Sequence, residues 1–485
     1  MKSRLAALAT SAALLLAGCD LAPPYKAPTV VVPVSYRDRT IWHTATPADT
    51  MPRSDWWAAF NQAELDRLEG ELVARNFTLA SAAATYDQAR ANAAAARSGL
   101  FPQINAGGVL SYNRQSLHRP LRSPDQPTFY GANTVGAAVG YEVDLWDQIH
   151  NQVVAGKAAA QASAADLAFI RLSLQAELAN DYLLLRGLDA QAKLLENTVT
   201  AYRHALDVVQ NRFRGLIASG VDVSRAQTEL ESARAQLDNI RGRRALAEHA
   251  IATLVSVPAP AFSLPRDPTE IRMPPLPRGI PSVLLQRRPD IAGAERRVAA
   301  ANADIGVARA AFYPNITLNA LGGFQSTALS IFNLPNSIWS LGPGLTLPIF
   351  RGGLLRAEEA AAVAQYNLAA ANYRGTVLTA FQEVEDALAQ LHWLGSELVD
   401  DQRAVAAAQR TLDMAMALFV DGASSYLEVA VAQEQLLGAQ ELLLELQTQY
   451  LQSGVQLIRA LGGGWSDREL PAPDSTPLLH VDLKP

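Results

Sequence analysis

The chain states one architectural unit twice. Residues 97–102 read RSGLFP and residues 309–314 read RAAFYP, an offset of 212. After each proline come two short alternating segments, then a very long Ala-rich stretch poor in Gly and Pro. Gly140 to Trp146 returns as Gly344 to Phe350, an offset of 204. Phe213, Val223, Ala226 and Gln227 return as Phe419, Val429, Ala432 and Gln433, an offset of 206. Solenoid repeats run roughly 20–50 residues, so this is a duplicated supersecondary unit: helix, strand pair, long helix, reversal, helix.

The N-terminus sets the compartment. Lys2 and Arg4 precede an apolar run from Leu5 to Leu16, then Ala17-Gly18-Cys19. That run suits a signal peptide and is shorter than the ~20 residues of a spanning helix. Small residues before a lone cysteine resemble a bacterial lipobox, so residues 1–18 are expected to be removed and Cys19 acylated. Cys19 is the sole cysteine, which excludes an internal disulfide. Removing the leader takes away two cations and no acid, moving the net charge from −6 to −8. That balance argues against nucleic acid as a partner.

Four segments alternate with period two. In Gln103 to Asn113, Ile104, Ala106, Gly108, Leu110 and Tyr112 share one face, opposite Gln103, Asn105, Gly107, Ser111 and Asn113. The alternation repeats over about 133–146, 315–326 and 338–349. Strands of roughly 10 residues with one apolar and one small-polar face are the mark of an outer-membrane β-barrel. A half-buried sheet in a soluble domain shows the same period, but the second face here is rich in Gly, Ser, Thr and Asn, which suits a wet lumen. Spanning strands must close so that every backbone group has a partner in hydrocarbon. Natural barrels start at about eight strands, so four cannot close alone. Two copies or three would close a barrel, and only the larger leaves an aqueous lumen.

The stretches from Asp147 to about Arg212 and from Leu354 to Phe419 read as helices of some 60 residues, each roughly 90–100 Å long. Each reverses at a Gly-containing segment. In the last helix Val429, Leu436, Leu443, Tyr450 and Leu457 recur every seven residues, a seam of coiled-coil packing. Residues 257–281 hold eight prolines and read as an irregular linker. The expected organisation is a leader (1–18), an N-terminal arm (19–60), a first repeat (61–256), a linker (257–282), a second repeat (283–463) and a tail (464–485).

Reactive constellations are missing from the sequence. It holds no phosphate-binding Gly-Lys loop, no H-E-x-x-H and no G-x-S-x-G. The seven histidines are scattered, with no pair at metal-ligand spacing. No catalysis, metal or cofactor is expected beyond the lipid on Cys19. The readings that remain are a conducting duct and a non-conducting coiled-coil spacer of the envelope.

Specific stretches resemble one family. LLQRRPDIAGAERRVAAANADIGVARAAFYPNITL (284–318), YEVDLWDQI (141–149), WSLGPGLTLPIFRGG (339–353), AFQEVEDAL (380–388) and RALGGGW (459–465) are similar to the signatures of the TolC-like outer-membrane efflux factors, in their OprM- and NodT-like lipoprotein branch. The resemblance covers essentially the whole chain. It implies a mainly α fold with a transmembrane β part: a homotrimer whose 12-stranded barrel, four strands per chain, continues into a long periplasmic α-helical barrel. It implies an outer-membrane duct for small molecules, working with a periplasmic adaptor and a proton-driven inner-membrane transporter.

The candidate sites lie at the two reversals. Arg214-Gly215-Leu216 and Asp421-Gly422-Ala423 are the expected adaptor contacts, farthest from the barrel, with glycines that leave the backbone exposed. A duct open at rest would leak, so Leu427, Glu428 and Val431 are the expected gate, with Asp222 the matching residue of the first repeat. Threefold symmetry would gather three copies of each, with a carboxylate ring attracting cations and apolar rings excluding water. The competing role for Glu428 is to cap its helix N-terminus. Family members often carry an Asp where this chain has Val431. Asp20, directly after the lipid-bearing cysteine, is of a type that retains lipoproteins on the inner membrane in some enteric bacteria, so the strands rather than the lipid argue for the outer membrane.

Overall fold

The computed structural model describes residues 20–33, 55–120, 123–274 and 287–472. Cys19, the leader, part of the linker and the last 13 residues lie outside them. Among the described residues four strands form one antiparallel sheet in chain order: β1 (Gln103–Arg114), β2 (Phe129–Val143), β3 (Asn315–Ser326) and β4 (Ser337–Thr346). The register carries each face across all four strands. Ile104 pairs with Val139, Val139 with Ala320 and Ala320 with Leu341. One residue along, Gln103 pairs with Gly140, Gly140 with Asn319 and Asn319 with Gly342. The first row is apolar and the second small or polar, so the period-two pattern becomes a two-faced wall. Leu321 joins Val109 as an apolar residue on the polar face. Ile104, Leu110, Tyr112, Trp339, Leu341 and Leu345 are exposed in the single chain. β1 and β4 each keep one unpaired edge.

Three strand ends differ from the sequence reading. β2 starts at Phe129, ahead of the alternation expected from about 133, because Phe129 pairs with Arg114 and stacks on Tyr112 at 6.2 Å. It stops at Val143 because the Asp144 carboxylate turns to accept the Ile149 and His150 N–H groups at the start of the next helix. β4 ends at Thr346, short of Pro348, which has no N–H to give a ladder.

Among the described residues there are seven α-helices: α1 (Ala63–Arg75), α2 (Phe77–Ser98), α3 (Gln148–Arg214), α4 (Gly220–Leu254), α5 (Pro289–Ala310), α6 (Leu354–Val420) and α7 (Tyr426–Ala460). The duplication is visible in their lengths. α2 and α5 have 22 residues each, α3 and α6 have 67, α4 and α7 have 35. A 67-residue helix spans about 100 Å. The helical stretch read as continuous from Glu64 to Ser98 breaks at Asn76. Its backbone is extended, its side chain accepts the Leu79 N–H, and its amide donates to the Leu254 carbonyl at 2.8 Å. That is an N-cap, which ends one helix and starts another.

Next to the sheet α3 packs against α2 and α5, and α5 against α6; farther out α3 packs against α4 and α7, and α7 against α6. The helices thus form a curved row with α2 and α4 at one side and α6 at the other. α3 alone among the described helices is long and apolar enough by composition to cross a membrane, and 39% of that stretch is buried in the single chain. Trp56, Trp57 and Phe60 fill the main core with Leu65, Leu68 and Leu72 of α1 and the Leu178–Leu195 stretch of α3.

Three of the signature stretches converge on one point. Arg288 pairs with Asp290 at 2.6 Å and Glu383 at 2.5 Å, and donates to the Ala460 carbonyl at the end of α7. Arg459 reaches Glu383 as well. Gly462 follows in the left-handed region at φ +92°, where a Cβ would lie 1.9 Å from the Arg287 carbonyl oxygen. Only glycine serves there, both for conformation and for space. A second buried ion cluster, Arg186, Asp189, Arg244 and Glu248, clamps the linker through the Leu264 and Pro265 carbonyls.

Residues 20–25 run along α5 as a strap. Asp20 accepts from the Ala22 N–H and from the Asn151 amide at 3.0 Å, while Asn302 donates to the Pro23 carbonyl and Tyr25 bonds Glu295. Gly306 leaves the room for it, since a Cβ there would lie 2.6 Å from the Asn151 amide nitrogen.

Glu69 is the outlier of the core. It is fully buried in α1 and neither carboxyl oxygen has a hydrogen-bond partner among the described residues. Burial pushes its pKa from 4.5 up to about 9, against the pull of Arg171. The folded state therefore holds a proton that the unfolded chain releases above its ordinary pKa. Stability from this group is full below that value and falls as pH rises toward about 9. Glu69→Gln should abolish this decline, a slope of up to about 1.4 kcal/mol per pH unit. Thermal melts of both proteins across that range would show it, with the variant the more stable at alkaline pH.

Candidate functional site at the helical reversals

Both reversals are built by the same bonds. After α3, the Ile217 N–H bonds the Arg212 carbonyl and Gly215 bonds Asn211. After α6, the Ala423 N–H bonds the Leu418 carbonyl and Asp421 bonds Ala417. The bond from five residues on is the Schellman closure, which needs one residue with a left-handed backbone. In the second reversal that residue is Gly422, at φ +75°. In the first it is Leu216, at φ +61°, and not the neighbouring Gly215, whose φ is −82°. The sequence reading credited both glycines with leaving the backbone exposed; the left-handed residue of the first reversal is the leucine beside the glycine. A leucine there costs about 1–2 kcal/mol relative to glycine. Its side chain is 94% exposed, so no packing within the chain repays that strain. Ile217 beside it is exposed too.

Arg212 ties the two reversals together. It donates to the Val420 carbonyl at 3.1 Å and lies 4.7 Å over the Phe419 ring. Phe419 packs edge-on to Tyr426, which is buried and hydrogen-bonds Gln433. Val209, Ala226, Val429 and Ala430 complete this tip core. Sequence reasoning missed Arg212, whose partner lies 208 residues away, and Tyr426, although its partner Gln433 lies seven residues on along the same helical face.

The two return helices start differently. α4 has a complete capping box: the Ser219 hydroxyl accepts the Asp222 N–H, and the Asp222 carboxylate accepts the Ser219 N–H and hydroxyl. α7 has Ser425 and Glu428 at the same two positions, yet Ser425 makes no side-chain cap and Glu428 accepts no hydrogen bond from the described residues. Leu427, Glu428 and Val431 all lie on the exposed side of α7, opposite the buried Tyr426, Val429, Ala430 and Gln433. One copy of the duplicated carboxylate is thus committed to a cap and the other is free. Arg214 bonds Asn211, and Asp421 and Ala423 stand exposed at the far end. Among the described residues no cluster of His, Cys, Asp and Glu could hold a metal ion.

These elements match known proteins along their whole length. The family model described as "Outer membrane efflux protein" matches residues 68–256 and 280–463, and the chain belongs to that family. The pyoverdine export outer membrane protein OpmQ of Pseudomonas aeruginosa is 33% identical over 467 residues, spanning 95% of this chain and 97% of its own. The antibiotic efflux pump outer membrane protein ArpC of Pseudomonas putida is 31% identical over 471 residues, spanning 96% and 97%. Among solved structures, the outer-membrane channel OprN superposes with a TM-score of 0.86 at 26% identity, covering 92% of this chain and 100% of that one. CusC gives 0.82 at 28% identity with the same coverage. The chain is an outer-membrane efflux channel with a large periplasmic helical part.

Asp222 and Glu428 can be told apart by experiment. Asp222→Ala removes the carboxylate half of the capping box, while the Ser219 hydroxyl can still accept the N–H of residue 222, and should destabilise the start of α4 by up to about 1 kcal/mol. It should leave single-channel conductance unchanged. A change in conductance without a loss of thermal stability would reverse the assignment.

Proposed function

We propose that three copies of this chain close one 12-stranded barrel and one helical tube, the passive exit duct of a tripartite efflux pump. The other parts are a periplasmic adaptor and a proton-driven inner-membrane transporter. The observation that carries the reading is the pair of unpaired edges on a sheet whose apolar face is exposed. In hydrocarbon those edges demand partners, and β1 of one copy facing β4 of the next supplies them. The duct needs no catalytic residue and no cofactor. Its cargo is small molecules, drugs or other toxic compounds, in line with relatives named for pyoverdine export and antibiotic efflux. A coiled-coil spacer would explain the helices but not this sheet.

The lipid on Cys19 is a second anchor, weaker than the barrel. The strap supports it: Asp20 bonds Asn151 in the first turn of α3, at the membrane end of the tube, so an acyl chain one residue away would meet the inner leaflet.

Leu427, Glu428 and Val431 form the resting constriction. Their side chains bury nothing within the chain, and three copies around the axis place a ring of carboxylates between apolar rings. In planar bilayers wild type should conduct poorly, and Leu427→Ala, Glu428→Ala and Val431→Ala should each raise conductance several-fold. A wild-type protein that inserts but never conducts would favour the spacer; three variants with wild-type conductance would move the constriction elsewhere.

Arg214, Gly215 and Leu216, with Asp421, Gly422 and Ala423, form the adaptor-docking tip. The strained, exposed Leu216 is the strongest support, since only an external contact rewards it. Leu216→Gly should raise the thermal midpoint, by about 1 kcal/mol of relieved strain, while weakening copurification with the adaptor. A variant that gains stability and keeps full adaptor binding would show that the leucine is not the contact.

A further inference from the structure

The helical seam between copies also leaves a record in the single chain. Val221 and Leu246 lie on α4, 25 residues apart, about seven full turns and therefore on one face. Leu418 and Trp393 lie on α6, also 25 residues apart. All four are between 51% and 68% exposed, unusual for large apolar side chains on a packed bundle. Leu378, 62% exposed, shares the α6 stripe, and Phe77 at the start of α2 is 77% exposed.

These residues sit on the helices that have a neighbour on one side only. α2 packs on α3, α4 chiefly on α3, and α6 on α5 and α7. α2 leads into β1 and α6 emerges from β4, the two free strands. Joining β1 to β4 of the next copy therefore brings the α2 and α4 side against that copy's α6.

Height along the tube decides who meets whom. A threefold rotation carries no translation along its axis, so only residues at equal height can touch. Val221 lies two residues after the Ser219 cap and Leu418 three before the Asp421 cap, both at the tip. Leu246 and Trp393 are each 25 residues closer to the sheet, about 37 Å. Phe77 is 21 residues from the sheet end of α2 and Leu378 is 24 from that of α6, about 32 and 36 Å. α4 and α6 run in opposite directions, so the shared 25-residue spacing holds the first two rungs in register together.

We infer that neighbouring copies are sealed by three apolar rungs: Val221 on Leu418, Leu246 on Trp393 and Phe77 on Leu378 of the next copy. This assignment rests on the trimeric reading above. The rungs exclude water from the seam, so cargo entering the tube cannot escape sideways into the periplasm.

Disulfide trapping tests it, with residue 19 the sole native cysteine. The pairs Val221→Cys with Leu418→Cys, Leu246→Cys with Trp393→Cys, and Phe77→Cys with Leu378→Cys are oxidised in detergent. Each is first sedimented to establish that it is a trimer. Opposed positions on packed helices lie near disulfide range, so each pair should give covalent trimers on a non-reducing gel that collapse to single chains on reduction. Single variants and the mismatched pair Leu246→Cys with Leu378→Cys should stay monomeric. As a second readout, Trp393→Cys alone should resist a bulky thiol reagent in the trimer and react after dissociation. Monomers in sedimentation would remove the trimeric reading itself. Intact trimers whose matched pairs crosslink no more than the mismatched one, with Trp393→Cys freely labelled, would overturn the rungs alone.

Discussion

Two strand edges without partners set the terms for this molecule. A four-stranded wall with an apolar face can rest in lipid only if the backbone groups on the outer sides of β1 and β4 are bonded. Water cannot do this in hydrocarbon, and no other described segment of the chain lies along those edges. The sheet therefore makes the single copy incomplete. The helices inherit the same incompleteness, because α2, α3, α5 and α6 each adjoin a strand and the helical row ends where the sheet ends. An open row of helices about 100 Å long buries one side and leaves its two flanks apolar in places, as Phe77, Leu246 and Trp393 show.

Duplication builds this row economically and then lets its halves diverge. The paired helices keep identical lengths, which is what holds both reversals at one level. Within that constraint equivalent positions have taken different work. Asp222 closes a capping box while Glu428 stands free, and Gly422 turns a reversal without strain while Leu216 does so at a cost. The free carboxylate and the strained leucine both lie at the helical tip, the end of the chain farthest from the sheet.

Long helices packed edge to edge slide unless something pins them. The Arg288 cluster does so by joining the start of α5, the middle of α6 and the end of α7 through charged hydrogen bonds in a mostly buried setting. Removing one partner from such a cluster leaves the others uncompensated, which makes it a strong registration device even where its net stability is small. The Arg186 and Arg244 cluster pins the linker in the first half in the same way.

Much of this was legible in the sequence, because short-range periodicity is a local property. Period two marked four strands and their two faces; period 3.5 and the scarcity of Gly and Pro marked the helices; the repeat offset announced two copies of one unit. The expected acylation of Cys19 rests on local pattern alone, and the residue lies outside the described residues. What failed was also local: the Asn76 cap inside an Ala-rich run, and a strand start hidden under Phe129, both decided by partners far along the chain. The tertiary structure alone decided which of two equivalent carboxylates is free, which residue of the first reversal is left-handed, and which apolar side chains stay uncovered. The first two are settled by side-chain hydrogen bonds and backbone geometry within each reversal and the last by packing between distant segments, and no periodicity along the chain encodes them.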